Sequence, residues 1–113
     1  MKFMLLINEG TGPKPAPAEM EKIVGAHMKF AADIRASGKM LHGERLRPEA
    51  DATRLSVKGG QRQTLDGPFA ETKEVLGGFY LIDCASKAEA IDWAWKLPYR
   101  DGSSVEVRPV WEM

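Results

Sequence analysis

Asp66-Gly67-Pro68-Phe69-Ala70-Glu71-Thr72-Lys73-Glu74 runs directly into Val75-Leu76-Gly77-Gly78-Phe79-Tyr80-Leu81-Ile82. A charged, turn-rich segment thus feeds a run that is apolar at both parities. Val75, Phe79 and Leu81 fall on one side, and Leu76, Tyr80 and Ile82 on the other. Side chains alternate between the faces of a strand, so a run of this kind belongs to a strand covered on both sides. Residues 2–8 repeat the pattern, with Phe3, Leu5 and Ile7 on one face and Met4 and Leu6 on the other. Residues 2–8 and 75–84 are therefore expected to be the two central strands of a sheet.

The rest of the chain arranges itself around them. Residues 18–37 place Met20, Ile23, Val24, His27, Phe30, Ala31 and Ile34 at helical spacing. Pro17 suits the first turn of that helix, and Gly38 supplies a left-handed stop. A second helix opens on a capping box of Ser86 and Glu89 and runs to about Lys96, before Pro98. Residues 39–46 and 104–111 read as further strands. In the second of these Val105 and Val107 alternate with Glu106 and Arg108, as on an edge strand with one wet face. Residues 53–58 and 61–65 form a short hairpin across Gly59-Gly60. Setting the hairpin aside, the order is strand, helix, strand, strand, helix, strand. This is the α+β, ferredoxin-like βαββαβ arrangement, with an antiparallel sheet and an inserted hairpin.

A chain of 113 residues is expected to be one domain, 1–113, burying about two thirds of its unfolded surface. The 16 basic and 16 acidic residues balance, and no window is strongly basic, which argues against nucleic acid as a partner. No apolar run reaches the length of a membrane span. The apolar start ends at Asn8, Glu9 and Gly10, too short for a signal-peptide core. Cys84 is the only cysteine, so no internal disulfide can form. The expected location is the cytoplasm. Two helices cover only one face of a four-stranded sheet, yet the other face of the central strands is apolar too. Two covers are open: a second copy about a two-fold axis, giving a homodimer, or the segment 47–73 folding back.

Asp66-Gly67-Pro68-Phe69 followed by Ala70-Glu71-Thr72-Lys73-Glu74 resembles the DGPF motif of the YCII-related proteins. The start Met4-Leu5-Leu6-Ile7 and the ending Ser104-Val105-Glu106-Val107-Arg108-Pro109-Val110 are similar to that family as well, so the resemblance covers nearly the whole chain. It implies a dimeric α+β barrel built from ferredoxin-like subunits. It implies little about activity. Members are largely uncharacterised, and some are encoded near extracytoplasmic-function sigma factors, which points to a regulatory protein partner. In shorter members a histidine of the first helix, with an aspartate, has been proposed as a catalytic centre. His27 matches that histidine, eleven residues before Gly38. For the aspartate two residues stand open: Asp51, displaced by about one position, and Asp66.

His27 has two readings. One is an acid–base group tuned by partial burial and a carboxylate; the other is a core histidine with a satisfied hydrogen bond. Asp66 is either a turn former bonding backbone two residues on, or a carboxylate at the mouth of a cleft. Glu71 and Lys73 are expected to be solvated. Gly77-Gly78 inside a central strand signals a close approach by packing or by a ligand. His42 and Glu44 share a strand face but lack a third ligand, so no metal is expected. Cys84 reads as a packed thiol. No phosphate loop, nucleophile elbow or dinucleotide fingerprint is present, and no cofactor is expected. Three functions remain: a cofactor-free enzyme working on a small molecule through His27, a non-catalytic ligand-binding or regulatory module, and a partner of a transcription regulator such as a sigma factor. A carboxylate within reach of His27 beside a pocket favours the first. A dry pocket without that pair favours the second. An apolar patch left exposed after dimerisation favours the third.

Overall fold

The computed structural model describes residues 1–10, 12–69 and 74–113, so Glu71 and Lys73 lie outside the described residues. The chain runs through β1 (Lys2–Asn8), α1 (Pro17–Ala36), β2 (Met40–Arg45), a 3-10 turn (Glu49–Asp51), β3 (Thr53–Lys58), β4 (Gln61–Asp66), β5 (Leu76–Asp83), α2 (Lys87–Ala94) and β6 (Ser104–Pro109). Four strands form one antiparallel sheet in the order β2-β5-β1-β6, and β3 and β4 pair as a separate hairpin. The two strands that are apolar on both faces, β1 and β5, are the central ones. This is a ferredoxin-like α+β fold with a hairpin inserted between its second and third sheet strands.

The local signals act as their chemistry requires. Pro17 opens α1, and Gly38 follows it at φ +75°. Ser86 caps α2 by accepting the Glu89 N–H at 3.2 Å. The Glu89 carboxylate reaches back to the Ala85 N–H at 3.3 Å and pairs with Lys39 Nζ at 2.5 Å, joining the helix cap to the residue before β2. Across the sheet Phe3 faces Ile82, Leu5 faces Tyr80 and Val107, and Ile7 faces Val105. Phe3, Leu5 and Ile82 join Phe30, Ile34, Ala90, Ala94, Leu97 and Cys84 in the buried core. Cys84 is a packed thiol.

The α1 stripe departs from expectation at its N-terminal half. Phe30 and Ile34 are buried, Ile23 and His27 are half-buried, and Val24 is exposed. A helix of 20 residues is about 30 Å long, whereas a strand of seven spans about 23 Å, so its first turns outrun the sheet. On the opposite face Met4 lies beside Leu81, and Leu6 beside Phe79. His42 and Glu44 flank this apolar centre on one side, and Glu106 and Arg108 on the other. Every residue of β3 and β4 is exposed, so the hairpin does not lie over this face.

Candidate functional site

On the helix face of the sheet, Tyr80 projects from β5 toward α1 and meets His27. Its Oη and His27 Nδ1 share a hydrogen bond of 2.9 Å. The two rings lie 6.0 Å apart at 23°, and Phe30, three residues along α1, packs against the tyrosine ring at 4.8 Å. Gly43 is directly opposite Tyr80 in β2. A Cβ at Gly43 would stand 2.6 Å from Tyr80 Cδ1, so the ring occupies the space a side chain would need. Two residues further along β2, on the same face, Arg45 is opposite Gly78. A Cβ at Gly78 would stand 2.8 Å from the Glu44 carbonyl oxygen, so this glycine admits the neighbouring strand. The Glu9 side chain lies where a Cβ of Gly77 would be. The paired glycines of β5 thus serve two close approaches, one by backbone and one by a carboxylate.

Burial pushes the His27 imidazole below its ordinary value, Arg45 pushes it the same way, and Glu9 acts in the opposite sense. Burial raises the Tyr80 phenol. Both groups are therefore neutral at neutral pH. Among the described residues no ion pair ties up Glu9 or Arg45. With Nδ1 engaged, Nε2 is the nitrogen left for a ligand. It is a base when Nδ1–H donates to Oη, and a donor when Tyr80 O–H donates to Nδ1.

Beyond Arg45 the chain turns into a cavity of about 390 Å³, lined by Leu46, Arg47, Glu49, Asp51, Phe69 and Leu76 among others. The Leu46 N–H donates to the Gly77 carbonyl at 2.8 Å, fixing the cavity wall to the glycine pair. Arg47 Nε donates to Asp51 Oδ2 at 3.0 Å on the rim. The Phe69 N–H donates to Glu49 Oε1 at 3.1 Å, and the Arg54 guanidinium lies 3.9 Å over the Phe69 ring. The Gly67-Pro68 bond is cis, and Gly67 abuts the Glu49 carbonyl too closely for any Cβ.

A family model, the YCII-related domain, matches residues 1–113. The chain belongs to the YCII-related family. An uncharacterised protein of Rhizobium meliloti (strain 1021) is 50% identical over 76 residues, spanning 66% of this chain and 61% of that protein. No helix among the described residues of this YCII-related protein is long and apolar enough to cross a membrane.

Each of the three residues singled out in the YCII-related sequence has a partner of its own, and the segments bearing Asp51 and Asp66 touch where the Gly67 N–H donates to the Ala52 carbonyl at 2.8 Å. His27 sits between α1 and β5 with Tyr80 as its hydrogen-bond partner. Asp51 lines the cavity and pairs with Arg47. Asp66 accepts from Thr53 Oγ1 at 2.9 Å, so it ties the two strands at the hairpin root instead of bonding its own turn. The charges acting on His27 belong to Arg45 and Glu9, and neither aspartate is among them. Tyr80, which bonds His27, and Glu9 and Arg45, whose charges act on it, are the groups that sequence reading missed. Gly77-Gly78 signalled a close approach, but not which side chain makes it. His42 is exposed on the opposite face, 3.7 Å from Glu44. No group of three or more ligating side chains occurs among the described residues.

Proposed function

We propose that this YCII-related protein is a cytoplasmic homodimer that transforms a small molecule without a cofactor, using His27 as its acid–base group. The observation that carries the reading is the 2.9 Å bond between His27 Nδ1 and Tyr80 Oη, in which a tyrosine takes the place of the expected carboxylate partner and orients a half-buried neutral imidazole. Such a group exchanges protons readily near neutral pH. Glu9 supplies the negative charge that steadies the imidazolium formed after proton uptake. Arg45, with no ion pair among the described residues, is placed to attract an anionic oxygen on the substrate. Proton transfer next to a carbonyl, hydrolysis or rearrangement all suit this set. Asp51, in the adjoining cavity, is a candidate contact to the same ligand, and Asp66 shapes the loop around it. The apolar centre of Met4, Leu6, Phe79 and Leu81 supports pairing of two sheets face to face.

The test is a screen of small hydroxy- and oxo-carboxylates for turnover, followed by His27→Gln and His42→Gln. Turnover is expected to vanish in the first variant and persist in the second. Near-wild-type rates in both would remove the histidine mechanism. A regulatory module without catalysis is the second reading. It draws support from a groove of about 520 Å³ between α2 and β6, lined by Ile91, Trp95, Tyr99 and Val105 among others. Turnover abolished by His27→Gln would dismiss it.

A further inference from the structure

Two adjacent glycines of β5 answer to different neighbours. At Gly78 the nearest obstacle to a Cβ is backbone, the Glu44 carbonyl oxygen at 2.8 Å. At Gly77 the three nearest atoms all belong to one side chain: Cγ of Glu9 at 2.5 Å, with its Cδ and Oε1 closer still. Neither glycine has a positive φ, so the backbone itself would accept an L residue at either position. The sheet builds this arrangement from a register shift. Ile7 is opposite Gly78 and Asn8 opposite Leu76, so Gly77 is an extra residue of β5. Extra residues of this kind bend a strand and re-aim side chains, and they are over-represented beside active sites. The Gly77 carbonyl accepts the Leu46 N–H at 2.8 Å, and the Glu9 N–H donates to the Val75 carbonyl at 2.8 Å, so both backbones are fixed. Phe3, Leu5 and Ile7 point toward the helices, and Glu9 continues their parity. Its carboxylate thus belongs to the face that carries Tyr80 and His27, and among the described residues no ion pair holds it.

We propose that Gly77 is a positioning residue: by lacking a side chain it seats the Glu9 carboxylate on the helix face of the sheet, as the carboxylate partner of His27. The proposal rests on the acid–base reading given above and adds the residue that holds the partner in place. Few other charges face the imidazole. One turn away its own helix offers Ile23, Val24, Phe30 and Ala31, all apolar. β5 offers the Tyr80 phenol, and β2 offers Arg45, which acts on His27 in the sense opposite to Glu9. A carboxylate near an imidazole favours the protonated form and so supports proton uptake. Glu9 is exposed and its side chain is flexible, so it can yield to a methyl group at position 77. Gly77→Ala therefore separates the position of the carboxylate from the integrity of the fold.

NMR titration of His27 in wild type, Glu9→Gln, Gly77→Ala and the double variant tests this, with His42→Gln assigning the two histidines. The expected result is His27 titrating lower in each single variant, and no lower in the double variant than in Glu9→Gln. Gly77→Ala should melt within about 2 °C of wild type. Gly78→Ala, whose methyl meets backbone, should melt well below both. An unmoved His27 in Glu9→Gln would overturn the partnership. A fall in Glu9→Gln with none in Gly77→Ala would overturn the seat, as would a Gly77→Ala protein as unstable as Gly78→Ala. These measurements need no substrate, so the seat is judged by titration and the acid–base chemistry by the turnover screen, and either can fail alone. Where turnover is found, the limb of its pH profile set by His27 should move to lower pH in Gly77→Ala, and a limb that stays in place would also overturn the seat.

Discussion

Replacing Gly43 with alanine is the sharpest probe of the His27–Tyr80 pair. The new methyl would stand 2.6 Å from Tyr80 Cδ1, 3.0 Å from Cε1 and 3.3 Å from the Phe79 carbonyl oxygen. The first two atoms belong to a ring held by Phe30 at 4.8 Å and by His27 at 2.9 Å, so it cannot swing aside freely. Overpacking of this kind costs about 1–3 kcal/mol. Losing the His27 bond adds about 0.5–1.5 kcal/mol. Alanine returns about 0.5–1 kcal/mol by restricting the unfolded chain. The net loss is therefore about 0.5–4 kcal/mol, or a fall in melting temperature of about 2–16 °C at roughly 4 °C per kcal/mol for a domain near this size. Calorimetry of Gly43→Ala, Tyr80→Leu and the double variant isolates the effect. With the ring gone the methyl has room, so the alanine penalty should largely vanish in the Tyr80→Leu background. NMR titration of Gly43→Ala should also show His27 moving toward its ordinary value as the ring that shields it shifts. An alanine variant as stable as wild type, or one equally penalised with and without the tyrosine ring, would refute the reasoning.

Three further outcomes follow from the same contacts. Burial holds His27 below its unfolded value, so its contribution to stability is intact above about pH 6.5 and is lost as pH falls through that point toward the folded value. The slope is at most about 1.4 kcal/mol per pH unit, and less in practice because solvent screens a half-exposed ring; urea melts across this range should show it in wild type and not in His27→Gln. Ser86→Ala removes the oxygen that accepts the Glu89 N–H and should cost about 1 kcal/mol, whereas Ser86→Asp should cost little, as read by thermal melts. Asp66→Ala should cost no more than about 1 kcal/mol through loss of the Thr53 bond, while Asp66→Asn should keep most of it. In the alanine background Thr53→Val should add nothing, and a further loss there would show that the two residues act separately.

The central strands were legible because their evidence is local. Apolar side chains at every position of 3–7 leave no face for water, and Gly77-Gly78 does not interrupt that pattern in β5. The capping of α2 was equally plain, since Ser86 and Glu89 carry the chemistry within one turn. What escaped depends on register. Tyr80 reads as one more apolar residue of a buried strand until Gly43 is set opposite it, and that pairing follows an irregularity between Met40 and His42 that no local rule predicts. Glu9 and Arg45 become neighbours of His27 only when the ends of β1 and β2 are brought beside β5. Asp66 shows a local rule that the neighbouring residue defeats: two residues on stands Pro68, which has no N–H to donate, and the carboxylate is met instead by Thr53 across the strand pair.

The order of the sheet has a consequence for how the chain acquires it. β1 lies between β5 and β6, with Phe3 opposite both Ile82 and Pro109. Neither neighbour of the first strand exists until most of the polypeptide has been made. During synthesis α1 and the β3–β4 hairpin can form from nearby residues, while an apolar first strand waits without edges to join. Its pairing must close long loops, which slows folding and prolongs the exposure of a sticky segment. The central sheet should therefore be the last part to assemble, and refolding yield should fall steeply with protein concentration.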